Sequence, residues 1–212
     1  MKTLFLSSAG VRFPIIRQEL FNILPKNPSE LKLTFINTAS RVVEDDTFAK
    51  EDELELRRMG FIVQVLDIAG KNEDELTRLL KEQDIIYVEG GNGFYLLKHV
   101  RESGFDKVIK KLINQGVLYV GISAGSYIAC PTIEIHEWKQ NPENHYGLKS
   151  LEAMNLVPFL ISVHYNREKY RGKIKEGISK TSLIVKILTD DQALLVQDNR
   201  ATLVGKGAEV VL

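Results

Sequence analysis

Short apolar runs recur along the chain, and each ends in small or polar residues before a helix-patterned stretch begins. Leu4–Leu6 leads into Ser7-Ser8-Ala9-Gly10, Leu31–Ile36 into Asn37-Thr38-Ala39-Ser40, and Asp84–Glu89 into Gly90-Gly91-Asn92-Gly93. Leu118–Ile122 leads into Ser123-Ala124-Gly125. Such runs, bounded by turn formers, read as fully buried strands. Strands that alternate with amphipathic helices demand a parallel sheet covered on both faces. The stretches between supply those helices. Ile16, Leu20, Ile23 and Leu24 place one over Phe13 to Leu24, punctuated by Pro25 and Pro28. The charged stretch Asp45 to Met59 stops at Gly60, and a third strand, Phe61–Leu66, follows. Asn72, with Glu75 three residues on, caps a helix that buries Leu76, Leu79 and Leu80. Phe105 to Asn114 carries Val108, Ile109, Leu112 and Ile113 on one face and ends at Gly116.

After Pro131 the pattern loosens. Ile135 to Lys149 has no clear period and is either a flap over a site or a surface excursion. Leu156–Val163 reads as a strand ending in His164-Tyr165-Asn166, and Arg167 to Lys180 as a basic helix. Ile184–Leu188 is a further strand, ending in Thr189-Asp190-Asp191. Leu194 to Leu212 alternates as an antiparallel hairpin turning near Asp198-Asn199-Arg200, with a last strand after Gly205-Lys206-Gly207. No repeat or linker divides residues 1–212, so one α/β domain with a mostly parallel central sheet is expected.

The charge balance narrows the function. Lysine plus arginine and aspartate plus glutamate each number 28, which removes the usual electrostatic ground for nucleic acid or anionic membrane as a partner. No apolar run approaches the roughly 20 residues of a membrane span. The first residues are too short for a secretory h-region, so a cytoplasmic location is expected. Cys130 is the single cysteine; it excludes an intrachain disulfide and is expected in the core.

The segment Gly121-Ile122-Ser123-Ala124-Gly125 carries the chemistry. A serine between strand and helix has its hydroxyl pushed out at the strand's carboxyl end, and the helix that follows offers free backbone N–H groups. The string alone is equally a tight turn with no chemistry. His164 and Asp190 also fall at or just past strand ends. Serine needs a base, and imidazole suits the task because its pKa lies near neutrality. Imidazole in turn needs an acceptor to set its tautomer. Asp190 has rivals for that place in Asp191, Glu134 and Glu137. Asp190 is also an ordinary loop cap, and a lone His164 an ordinary structural histidine. His99 lies on a helix pattern, and His136 and His145 in the irregular segment read as solvated. No metal-ligand spacing occurs, and Gly90-Gly91-Asn92-Gly93 lacks the lysine of a phosphate loop.

Three of these segments together resemble a known family. Gly121–Ser126 followed by Ala129-Cys130-Pro131-Thr132-Ile133 looks like the nucleophile region of the dipeptidase E (alpha-aspartyl dipeptidase) serine peptidases. Cyanophycinase is a more distant member. Gly90-Gly91-Asn92 with Phe94 and Leu96-Leu97 is similar to the family's second signature, and Val157-Pro158-Phe159 to His164-Tyr165 to its histidine segment. The resemblance spans nearly the whole chain. It implies a flavodoxin-like three-layer α/β fold related to class I glutamine amidotransferases, closed by a C-terminal β-hairpin. It also implies a metal-free, cofactor-free peptidase acting through an acyl-enzyme on short peptides, the expected targets being dipeptides with an acidic N-terminal residue. In residues, it implies Ser123 as nucleophile, His164 as base, and Asp190 where the family usually has a glutamate. The backbone N–H groups of Gly91 and Ala124 would hold the oxyanion. Asn92, Arg167, Arg171 and Lys173 would bind substrate, although Tyr170 and Lys173 stand where arginines are expected. The expected partner is a small peptide, and the expected state a monomer or homodimer. The other readings are a hydrolase of another amide or ester with the same elbow, and a non-enzymatic small-acid binding module.

Overall fold

The computed structural model describes residues 2–139, 145–198 and 200–212. Its strands are β1 (Thr3–Ser7), β2 (Lys32–Ile36), β3 (Ile62–Leu66), β4 (Ile85–Val88), β5 (Leu118–Ile122), β6 (Leu160–Ser162), β7 (Val185–Ile187), β8 (Gln192–Gln197) and β9 (Arg200–Gly205). Its helices are α1 (Pro14–Asn22), α2 (Thr47–Arg58), α3 (Glu73–Leu80), α4 (Gly93–Ser103), α5 (Phe105–Asn114), α6 (Ala124–Tyr127), α7 (Glu134–Lys139) and α8 (Glu168–Ile178). The main sheet runs β3-β2-β4-β5-β1-β8-β9. The first five strands in that order are mutually parallel, and the β8–β9 hairpin adds antiparallel to β1.

Strand alternation explains the three layers. On β1, Leu4 and Leu6 face one core while Phe5 faces the other; on β4, Ile86 and Val88 part from Ile85 and Tyr87 in the same way. Successive side chains point to opposite faces, so a strand apolar at every position needs a helix layer on each side. α3, α4 and α5 cover one face with Leu76, Leu80, Leu97, Val100, Ile109 and Ile113. α1 and α2 cover the other with Ile16, Leu20, Ala49 and Leu56. Burying each such Leu or Ile contributes about 1.5–3 kcal/mol. Edge strand β3 is the exception: Ile62 and Val65 are exposed, as one bare edge permits. The Asn72–Glu75 capping box is present at the start of α3.

Three segments depart from expectation. Only Leu160–Ser162 of the run Leu156–Val163 is strand, and β6 pairs with β7 in a separate two-stranded parallel sheet. Val157 and Phe159 pack as apolar loop residues in the core instead. Ile135–Lys149 is not irregular throughout, since Glu134–Lys139 forms α7. No strand follows Gly207; the tail keeps one antiparallel bridge, Val210 to Ile187. The expected hairpin turn includes Asn199, which lies outside the described residues, as does the stretch 140–144 of the expected flap.

Candidate active site

The loops after β1, β4 and β5 converge at the carboxyl end of the parallel strands, where open α/β sheets bind ligands. The loops after β6 and β7 reach the same place. They border a cleft of about 310 Å³ lined by Ser8, Arg12, Gly91, Ser123, Lys139 and His164 among others. That volume is at the lower end of the roughly 300–1,000 Å³ usual for small-molecule sites.

Ser123 holds φ 48° and ψ −103°, a backbone region that L-residues avoid. Its neighbours enforce that bend. The Ser123 N–H donates to Ser7 O at 2.9 Å, and the Ser126 and Tyr127 N–H groups donate to Ser123 O at 2.9 and 3.0 Å. A Cβ on Gly125 would stand 2.1 Å from Val88 O, so only glycine lets the turn lie on β4. The strained bend aims the hydroxyl at the cleft, with Oγ 3.2 Å from His164 Nε2. His164 itself sits at φ 63°, held by its N–H donating to Ser8 Oγ at 2.9 Å.

The other imidazole nitrogen, Nδ1, makes a short contact with Asp190 Oδ1. Asp190 accepts three further donors: Ser8 Oγ at 3.2 Å, Arg167 Nε at 2.9 Å and Asn166 Nδ2 at 3.4 Å. Burial alone would raise its carboxyl pKa. The hydrogen bond from His164 and the Arg167 ion pair outweigh that and hold it well below the usual carboxylate range. An ionised Asp190 accepts the hydrogen bond from Nδ1–H and so keeps the proton on that nitrogen, which leaves Nε2 free to accept from the Ser123 hydroxyl. Burial lowers the His164 pKa, partly offset by Asp190. The imidazole is therefore neutral at neutral pH, the state in which it can receive a proton.

Gly91 lies across the cleft with φ +134°, and a Cβ there would meet Ala39 O at 2.3 Å. Its N–H and that of Ala124, first residue of α6, find no protein acceptor among the described residues. The expected acid rivals are elsewhere: Asp191 is exposed, and Glu137 lies 3.1 Å from His145 Nε2. Glu134 starts α7, its N–H donating to Thr132 Oγ1.

The residues expected on substrate are placed differently. Arg167 lines the cleft but is committed to Asp190. Asn92 Oδ1 accepts the Tyr95 N–H at 3.0 Å and caps α4. Arg171 Nε donates to Tyr165 O and Lys173 Nζ to Lys139 O, and neither side chain lines the cleft. Three residues that pattern reading passed over do. Ser8 touches both His164 and Asp190; its signal was the small-residue loop after β1. His136 is buried rather than solvated: Nε2 accepts the Gly93 N–H at 3.0 Å, and burial lowers its pKa to about 4. Lys139 is buried too, its Nζ donating to Tyr127 Oη at 2.8 Å and Val163 O at 2.6 Å. Burial takes its pKa down to about 7. Cys130 is fully enclosed, as expected, with its thiol pushed up to about 12 by burial. Among the described residues no group of three His, Cys, Asp or Glu side chains gathers to hold a metal ion, and no helix is long and apolar enough to cross a membrane.

Residues 4–204 match the model of a family described as Peptidase family S51. An uncharacterized peptidase of Listeria innocua is 35% identical over 201 residues, which span 93% of this chain and 94% of that one. Peptidase E of Escherichia coli is 34% identical over 109 residues, 50% of this chain and 46% of the relative. The crystal structure of a candidate peptidase E from Listeria monocytogenes superposes with a TM-score of 0.88 at 29% identity, covering 98% of this chain and all (100%) of that one. A peptidase from an acI-B1 actinobacterium shares the fold, with a TM-score of 0.72 at 15% identity over 97% of this chain and 88% of that one.

Proposed function

The chain belongs to peptidase family S51, and on that premise we propose that this peptidase is a serine-type exopeptidase that hydrolyses short peptides, preferring dipeptides with an acidic N-terminal residue. One observation carries the reading: the Ser123 hydroxyl stands 3.2 Å from an imidazole whose other nitrogen is held by a buried carboxylate.

In this mechanism Ser123 Oγ attacks the scissile carbonyl carbon as its proton passes to His164 Nε2. The carbonyl oxygen takes the negative charge and accepts from the N–H groups of Gly91 and Ala124. One such donor is typically worth about 3–4 kcal/mol to the transition state. His164 returns the proton to the leaving amine as the C–N bond breaks. Water, deprotonated by the same imidazole, then releases the acyl group from Ser123. Asp190 stays ionised throughout and stabilises the imidazolium, with Arg167 and Asn166 keeping its second oxygen in place.

Support for an acidic substrate comes from Lys139 more than from the basic helix α8. Its ammonium is buried at the cleft wall between the rings of Tyr127 and Tyr170, 5.4 and 5.6 Å from their centroids. No carboxylate among the described residues lies within ion-pair distance of it. A buried charge without a counter-ion is costly, which is why burial brings the Lys139 pKa down to about 7, and a substrate carboxylate would favour its charged form again. Cytoplasmic action on small peptides, with no nucleic acid or membrane partner, belongs to the same proposal.

A panel of Asp-X, Glu-X and neutral dipeptides tests it. The expected order is acidic before neutral, and Ser123→Ala lowers kcat by roughly 10⁴ or more with the fold intact. Undiminished hydrolysis by that variant would remove Ser123 from the chemistry.

A further inference from the structure

Glu89 follows β4 directly and is fully buried, although it borders the cleft. Its Oε1 accepts the Gly90 N–H at 2.7 Å. Its Oε2 has no N–H or O–H donor among the described residues. The charge that acts on it most is that of another carboxyl, Asp52 on α2, which is equally buried. Asp52 has donors of its own: Oδ1 accepts the Arg12 backbone N–H at 2.7 Å and Oδ2 the Arg12 guanidinium at 2.6 Å. A Cβ on Gly10 would lie 1.6 Å from Asp52 Oδ2, so the loop after β1 leaves this carboxyl its space.

Two carboxylates in contact away from water do not both keep their charge; such a pair holds one proton. Burial raises the Asp52 pKa as well, but Arg12 opposes that shift, and the Glu89 pKa is raised well above the usual range, so the proton rests on Glu89. With that proton on Oε2 every polar atom is satisfied: Oε2–H donates to Asp52 and Oε1 accepts from Gly90.

We propose that the Glu89 carboxylic acid is a positioning residue of the oxyanion loop: bridging Asp52 and Gly90, it fixes the turn that presents the Gly91 N–H and adds no negative charge beside the developing oxyanion. The inference rests on the serine-peptidase reading above. Burial, with the neighbouring Asp52, holds the Glu89 proton to a pH well above the usual carboxylate range. Among the described residues, Asp52 from α2, Arg12 from the loop after β1 and Tyr87 within β4 are the titratable or charged groups that act on it. When alkaline pH removes the proton, two negative charges stand next to the loop and kcat falls while KM changes little.

The test uses the full chain with its glutamates labelled at the carboxyl carbon, the Glu89 resonance being the one lost in Glu89→Gln. At pH 7 that resonance is expected at the protonated-acid position; an ionised position there overturns the proposal. Glu89→Leu is expected to lower kcat by about 10² with KM within about twofold. Glu89→Gln, which keeps an acceptor for Gly90 and a donor for Asp52, restores most of that loss and flattens the alkaline fall. Equal losses in both variants, or full kcat in Glu89→Leu, overturn it. If Glu89→Leu does not fold, the resonance and the pH profile of Glu89→Gln decide. A parent chain that hydrolyses no peptide overturns the peptidase reading instead, and the resonance still judges the proton assignment.

Discussion

Asp190 and Glu89 are both buried acids just past strand ends, and both bear on Ser123's cleft. Asp190 is surrounded by donors, from His164, Arg167, Ser8 and Asn166. Glu89 meets one backbone N–H and a second carboxyl. The first environment favours the charged form and the second the neutral one, although burial acts on both in the same direction. The comparison teaches that donors, and not depth, decide which acid keeps its charge. In the proposed mechanism it also separates two tasks: the ionised acid would stabilise the imidazolium, and the neutral one would shape the turn that meets the oxyanion.

The comparison breaks most visibly at Asp190. Asp190→Asn keeps the shape but offers Nδ1 an amide, which favours the wrong tautomer; kcat is expected to fall by roughly 10³–10⁴. A steady-state assay with the parent's best dipeptide reads this directly, and a loss below tenfold would put another carboxylate in the role. Lys139 gives a middle-sized effect. Lys139→Met keeps length and burial while removing the charge, so the kcat/KM preference for acidic over neutral dipeptides should shrink about 10–100-fold, the range of a charge-assisted hydrogen bond. Competition between the two dipeptides in one assay measures that ratio, and an unchanged preference assigns the carboxylate to another cation. Smallest is the pH dependence. His164 works as a base only when neutral, and burial lowers its pKa. Activity is therefore retained below the usual imidazole pKa and lost as the pH falls through the lowered value. An acid limb in kcat/KM at or above the ordinary imidazole range would contradict this environment.

Much of the architecture was legible because the strands are apolar at nearly every position, which only a parallel sheet with two helix layers satisfies. The elbow was legible for a similar reason: Gly125 must pass close over Val88 and Gly121 close to the Gly125 backbone, so both positions flanking Ser123 need glycine. The carboxylate that contacts His164 was legible only to a short list, since Asp190, Asp191, Glu134 and Glu137 all lie near loop ends, and its placement depends on donors from three separate segments. Lys139 and His136 were hidden because α7 is six residues long, too short for a period, and its burial is a tertiary fact. Asp52 was hidden inside a helix whose charges read as solvated; it is buried because it packs over Gly10, far away in the chain. Substrate contacts were the least legible. Long basic side chains on α8 reach several acceptors, and Arg171 and Lys173 settle on backbone carbonyls.

The account stands on Ser123 being a nucleophile activated by His164. Incubating the native chain with a serine-directed aryl phosphonate, then mapping the adduct by mass spectrometry, tests this most directly. A single adduct on Ser123, formed at least about tenfold more slowly in His164→Ala, is the predicted result. No adduct, or an adduct on Ser123 that forms equally fast without the imidazole, would contradict it.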